Sequence, residues 1–205
     1  MQEALGNLEL FLHSTEPPIP YLLKAGLAHC QFETIHPFLD GNGRTGRLLI
    51  TFLLCERKVL QRPLLYLSHF FKRHRPEYYD RLQAVRENGD WEGWLKFFLR
   101  GVYEVAQEAT ATAKQIVGLR EKHREMIAED LRRATAKAYK LLETLYHRPI
   151  ISVKGVCSIT GLSFANANDL TRQFAGLGIL REITGNKRNR VFSYAPYLKL
   201  FDERG

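Results

Sequence analysis

HPFLDGNGRTGR, residues 36–47, places a histidine, a carboxylate, three glycines and two arginines within twelve positions. From Gly41 the spacing is G-x-G-x-x-G, the pattern of a dinucleotide-binding turn. That reading needs a strand before the glycines, a helix after them and an acidic residue about 20 positions on. Two of the three are missing. Upstream, Leu22, Leu23, Leu27 and Phe32 recur at near-helical spacing, and no Asp or Glu lies between Arg57 and Glu77. A phosphate-binding P-loop is excluded too, because it requires G-x-x-x-x-G-K-[ST] and the stretch has no lysine.

The residues nevertheless support anion chemistry directly. Gly41 and Gly43 permit positive φ and close approach of a ligand to the backbone. They stand at the start of an expected helix, where free N–H groups and the dipole favour negative charge. Arg44 and Arg47 are i, i+3 on its first turn, so both guanidinium groups can converge on phosphate oxygens. Asp40 is a hard oxygen ligand just before this cradle, and Mg²⁺ is commonly held between one or two carboxylates and substrate phosphates. His36 is suited to general-base work near neutral pH. Phe38 and Leu39 are expected as core anchors of the loop. The set describes a site for a Mg–nucleotide with a base beside it.

Around this stretch the sequence reads as helices. Expected helices cover residues 3–12, 21–32 and 47–58, the last a mostly buried central one. A turn at Gln61–Arg62–Pro63 precedes shorter helices over 68–72 and 76–88. Asn88–Gly89 is a stop signal, and Asp90 is an N-cap candidate for the helix that follows. Residues 102–147 read as one charge-rich helical region interrupted only by Gly118. From there the order is helix (138–147), strand (150–153), short helix (154–160), helix (163–177) and a hairpin about Gly185–Asn186. This is the order of a winged helix-turn-helix domain.

Charge separates the two halves. Residues 1–113 hold 13 basic and 13 acidic side chains, whereas residues 114–205 hold 17 and 9, so the whole formal excess of +8 sits in the second half. Such asymmetry suggests an acidic partner, often nucleic acid. Arg172, Lys187, Arg188 and Arg190 are the DNA-contacting candidates, the first on the 163–177 helix and the others on the hairpin. Winged helices also serve as docking or dimerisation modules, which leaves a homodimer open.

The remaining features are exclusions. The longest apolar run, Leu48–Cys55, is far short of the roughly 20 residues that span a bilayer. No basic region leads into an apolar stretch at the N-terminus, so no secretory signal is expected. Three widely spaced cysteines without a CxxC pair argue against a disulfide framework or zinc knuckle and for a reducing, cytoplasmic setting.

The motif resembles the signature of the Fic family, H-x-F-x-[D/E]-G-N-G-R-x-x-R, with every fixed position filled. The likeness extends through AHCQFETI upstream and through LLYLSHFFKRHRPEYYDRL and DWEGWLKFFLRG downstream. It covers roughly residues 5–115 and implies a Fic-type helical bundle over 1–113; with the element order read above, the expectation is a mainly α chain with a linking helix over 114–136 and a small α+β winged-helix domain over 137–205. It also implies a protein adenylyltransferase that moves AMP from ATP to a Ser, Thr or Tyr hydroxyl of a target protein. His36 would deprotonate the hydroxyl, and Asp40 would hold Mg²⁺ against the α- and β-phosphates. Gly41, Asn42 and Gly43 would form the cradle with support from Arg44, and Arg47 would clamp the γ-phosphate. Adenine would lie near Tyr66 or Tyr78. Removal of AMP from a protein is an alternative direction for the same site, and a DNA-binding regulator whose Fic half senses nucleotide is an alternative class.

Two family features have no counterpart in the stretch. The 35 residues before His36 read as helix, turn, helix without a target-docking hairpin. No Ser or Thr has Glu four positions on, as the inhibitory [S/T]-x-x-x-E-[G/N] motif requires. An unrestrained enzyme is the expectation.

Overall fold

The computed structural model describes residues 1–60, 67–131, 135–186 and 188–202, with Asp202 as backbone only. The expected turn at Gln61–Arg62–Pro63 and the candidates Tyr66 and Lys187 lie outside the described residues. The chain is mainly helical. It divides into two compact units, Met1–Thr110 and Ala111–Gly205. Among the described residues, no helix is long and apolar enough to cross a membrane.

The first unit contains α1 (Gln2–His13), α2 (Tyr21–Ile35), α3 (Asn42–Glu56), α4 (Leu67–Arg73), α5 (Arg75–Asn88) and the first part of α6 (Trp91–Asp130). Local chemistry sets the boundaries where the sequence signals them. Gly89 takes φ 67° at the C-cap of α5, and Asp90 Oδ1 accepts the Gly93 N–H at 2.9 Å to cap α6. Trp94, Phe98 and Phe70, all fully buried, centre a core shared with Ile50 and Leu54 of α3.

α3 departs from its expected all-round burial. Its buried positions are Asn42, Gly46, Ile50 and Leu54, a strict i, i+4 stripe, while Leu48 and Phe52 stay exposed. The helix is therefore one-sided, with the stripe turned to its neighbours. Phe38 and Leu39 also lie on the surface rather than in the core: Leu39 is fully exposed and Phe38 half exposed.

The second unit holds the rest of α6, then α7 (Thr135–Leu145), β1 (Ile150–Ser152), α8 (Val153–Thr160), α9 (Phe164–Gly176), β2 (Arg181–Glu182), β3 (Val191–Ser193) and α10 (Ala195–Asp202). The strands form one antiparallel sheet in the order β1-β3-β2. Ile151 pairs with Phe192, and Arg181 with Ser193. Ser152 and Ser163 cap α8 and α9 through their side chains.

The single helical region expected over 102–147 is two helices. Arg124 Nη1 lies 3.3 Å from Glu143 Oε1, although 19 residues of straight helix would separate them by about 28 Å. The chain thus reverses between α6 and α7. The reversal lets Ile127 and Leu131 share a core with Leu141, Leu142 and Leu145. α10 has no counterpart in the sequence reading; Tyr197 packs against the same core.

Candidate active site

The site is a corner between two helices. α2 ends at His36, whose φ 51° and ψ 57° are left-handed and whose N–H still donates to Phe32 O at 3.0 Å. That conformation turns the chain out of the helix, and Pro37 prevents its return. Five positions on, Gly41 adopts φ 84° as the N-cap of α3, and its carbonyl accepts the Thr45 N–H at 3.0 Å. Here glycine is needed, since a side chain at this φ would be strained. The helix starts at Asn42, with the free N–H groups of its first turn at the loop.

Asn42 fixes the shape of the loop. It is 2% exposed, its Oδ1 accepts the Phe38 N–H at 2.8 Å and its Nδ2 donates to Phe38 O at 2.6 Å. The side-chain amide closes the loop on itself, with both its polar atoms committed to Phe38.

Asp40 and Arg44 are on the outside. Asp40 Oδ1 accepts the Gly41 N–H at 2.6 Å, and Oδ2 is 3.6 Å from Arg44 Nη2. The two side chains are 95% and 79% exposed, so this ion pair contributes little and both groups are open to a ligand. His36 is exposed on the same loop. Arg47, half-buried, folds back: its Nη1 lies 3.0 Å from where a Cβ on Gly43 would be.

Beneath the loop lies a polar layer that the sequence reading passed over. His29 and Glu33 are buried on α2, and His29 Nε2 hydrogen-bonds the Tyr78 hydroxyl at 3.0 Å. Gly46 makes room for them: a Cβ there would stand 2.6 Å from Glu33 Oε1 and 3.2 Å from His29 Cε1. Burial lowers the His29 pKa to about 4, so the ring is neutral at physiological pH. Burial raises the Glu33 pKa against the opposing pull of Arg47, His36 and Arg86, in that order. It also pushes the Tyr78 hydroxyl upward and the Cys30 thiol to about 12, which leaves that thiol unreactive. The legible signal was spacing: positions 29, 33 and 36 are i, i+4, i+7 and share one helix face.

This corrects the adenine reading. Tyr78 is 4% exposed with its hydroxyl engaged by His29, so it belongs to the core rather than to a ligand pocket.

Among the described residues, no group of three or more His, Cys, Asp or Glu side chains is placed to enclose a metal ion. Asp40 alone offers a carboxylate at the cradle, a donor set that fits an ion completed by waters and ligand phosphates, as Mg²⁺ prefers.

In the second unit the DNA-contacting candidates are partly committed elsewhere. Arg172 Nη2 lies 2.7 Å from Asp169 Oδ1. Arg190 donates to Asn168 Oδ1 at 2.6 Å, lies 3.9 Å from Glu182 and sits over the Phe192 ring. Arg188 is exposed and lines a cavity of about 670 Å³ with Lys154, Phe164 and Asn168.

Residues 1–54 match the profile of the Fic/DOC family. The chain is 37% identical over 97 residues to the protein adenylyltransferase Fic of Aedes aegypti, covering 45% of this chain and 17% of that protein. It is 41% identical over 80 residues to the Culex quinquefasciatus protein of the same name, covering 39% and 14%. The matches thus span less than a fifth of the length of these curated relatives. Among solved structures, a Fic family protein from Desulfovibrio desulfuricans G20 aligns with a TM-score of 0.54 at 20% identity, covering 94% of this chain and 54% of that one. At that identity the likeness speaks for the fold alone. Together the matches support the Fic family for the part of the chain that carries the corner.

Proposed function

We propose that the first unit is a Mg²⁺-dependent protein adenylyltransferase that transfers AMP from ATP to a hydroxyl side chain of a target protein. The observation that carries this reading is the corner itself: an exposed imidazole, an exposed carboxylate and a helix N-terminus bearing two arginines share one closed loop. His36 takes the hydroxyl proton as the hydroxyl oxygen bonds to the α-phosphorus. The bond from that phosphorus to the bridging oxygen breaks, and pyrophosphate leaves. Gly41, Asn42 and Gly43, with Arg44, form the cradle that holds the phosphates, and Arg47 orients the terminal one. Asp40 would hold Mg²⁺, whose charge offsets that of the triphosphate. Positioning and charge neutralisation supply most of the acceleration in chemistry of this kind. The family names and the profile match support the same reading.

The test is label transfer from ATP to protein in the presence of Mg²⁺ and a cell lysate, with the label at α or at γ. Only α-label is expected to move, and His36→Ala is expected to lower transfer by about 10²- to 10⁴-fold. Movement of γ-label would replace the reading with a kinase.

A second reading concerns the second unit. Its helix–strand–helix–helix–hairpin order and β1-β3-β2 sheet favour a winged helix that presents α9 and the hairpin to a partner. Duplex DNA is the first partner to try. Binding that falls steeply with salt, and loses slope when Lys187, Arg188 and Arg190 are neutralised, would establish it.

A further inference from the structure

The layer under the 36–47 loop contains a carboxyl group that the proposed reaction does not use. Glu33 is 7% exposed, and its Oε1 has no hydrogen-bond partner. A buried acceptor left without a donor costs on the order of 1–3 kcal/mol, more when charged, so its presence is not accounted for by stability. Two glycines of the motif keep space for it: the Cβ positions of Gly46 and Gly43 would lie 2.6 Å and 3.8 Å from Oε1. Arg47 Nη1 lies 3.0 Å from that same point on Gly43.

The other groups facing the carboxylate are occupied or uncharged. Arg86 donates through Nη2 to the Glu33 carbonyl at 2.7 Å and through Nε to Thr34 Oγ1 at 3.4 Å, which ties it to the α2 backbone. His29 is neutral, and its Nε2 pairs with Tyr78. Cys30 keeps its proton, His36 is exposed and pulls on Glu33 less than Arg47 does, and the Tyr78 hydroxyl also acts on the carboxyl. Of the charges that face Glu33, Arg47 acts on it most strongly.

We propose that Glu33 is a positioning residue for Arg47: its buried carboxylate draws the guanidinium over the Gly43–Gly46 notch, where it meets the terminal phosphate of a nucleoside triphosphate. The inference rests on the adenylyltransferase reading of the same site. A group that orients only Arg47 affects the ligand that has a γ-phosphate and spares the one that lacks it. A merely structural carboxylate would affect both alike.

The experiment is calorimetric titration of the full chain with Mg-ATP and with Mg-ADP, comparing wild type, Glu33→Gln, Arg47→Ala and the double variant. Wild type is expected to prefer ATP. Glu33→Gln should weaken ATP about 10-fold with little change for ADP, and the double variant should match Arg47→Ala alone. An unchanged ATP-to-ADP ratio in Glu33→Gln, or effects that add in the double variant, overturns the inference while leaving the adenylyltransferase reading intact. Absence of Mg-ATP binding by wild type overturns both. Should Glu33→Gln fail to fold, Glu33→Asp provides the check, since it keeps the acid but withdraws it from Arg47 on a shorter stem. The same selective loss of ATP supports the inference, and an unchanged ratio overturns it.

Discussion

The string Gly-Asn-x-Arg occurs twice in the chain, at 41–44 and at 185–188, and the two copies have different fates. Both glycines are left-handed, with φ 84° at Gly41 and 65° at Gly185. Asn42 is buried and bonded twice to Phe38, whereas Asn186 is exposed in a hairpin turn. The first copy opens a fifteen-residue helix over a buried His29–Glu33 layer. The second leads back into a three-residue strand. A glycine and an asparagine make a bend in either place. What sets the first bend apart is the helix that begins there and the polar layer beneath it.

Asn42→Ala should have the largest effect. It leaves the Phe38 N–H and carbonyl without their side-chain partner, so a loss of roughly 2–4 kcal/mol in denaturant unfolding is expected. Asn186→Ala should stay within about 0.5 kcal/mol. Equal effects at the two positions would break the comparison.

Acid tests the layer under the first copy. The folded-state pKa of His29 is lowered to about 4 from 6.5, so the unfolded chain binds this proton at higher pH than the folded one. Its contribution is whole above about pH 6.5 and is lost progressively as pH falls towards 4, by roughly 3 kcal/mol at most. His123 in the second unit, lowered to about 4 chiefly by burial, acts with the same sign. Unfolding midpoints measured between pH 7 and 4 should decline, and His29→Gln should remove part of that slope. A variant with the full slope would place its origin elsewhere.

Glycine substitutions sharpen the contrast at smaller amplitude. Gly46→Ala sets a methyl 2.6 Å from Glu33 Oε1 and 3.1 Å from Phe32, and should cost roughly 1–3 kcal/mol by crowding. Gly185→Ala meets nothing within 4 Å and pays only for its left-handed backbone, about 1 kcal/mol. Thermal unfolding separates the two.

Helix identity and the place of the corner were legible because apolar spacing and the Pro37, Gly41 and Gly89 signals are local. Asp90 as a cap was legible for the same reason. The reversal between α6 and α7 was not, because residues 102–147 carry few breakers; the turn is set by where Ile127, Leu131 and Leu142 find a common core. Outward-facing site groups could be read from the motif. Glu33 and Tyr78 could not, since their roles depend on which helices meet under the loop, and a carboxylate in sequence looks the same in water as in a core. Tyr78 as an adenine contact failed on that point. The partner of Arg190, Asn168, lies 22 residues away in sequence, so spacing does not reveal it.

The left-handed backbone of His36 has a consequence for how loss of activity would look in this fold. At φ 51° any residue with a Cβ is strained, whereas glycine is at ease. His36→Gly should thus delete the base of the proposed reaction while relaxing the turn, leaving a fold at least as durable as its parent. A lineage released from catalysis could slide to glycine at position 36 at no cost to folding, while Asn42 and the glycines beneath the loop stayed fixed. For this corner, persistence of the fold carries no information about persistence of the chemistry; the residue at position 36 does.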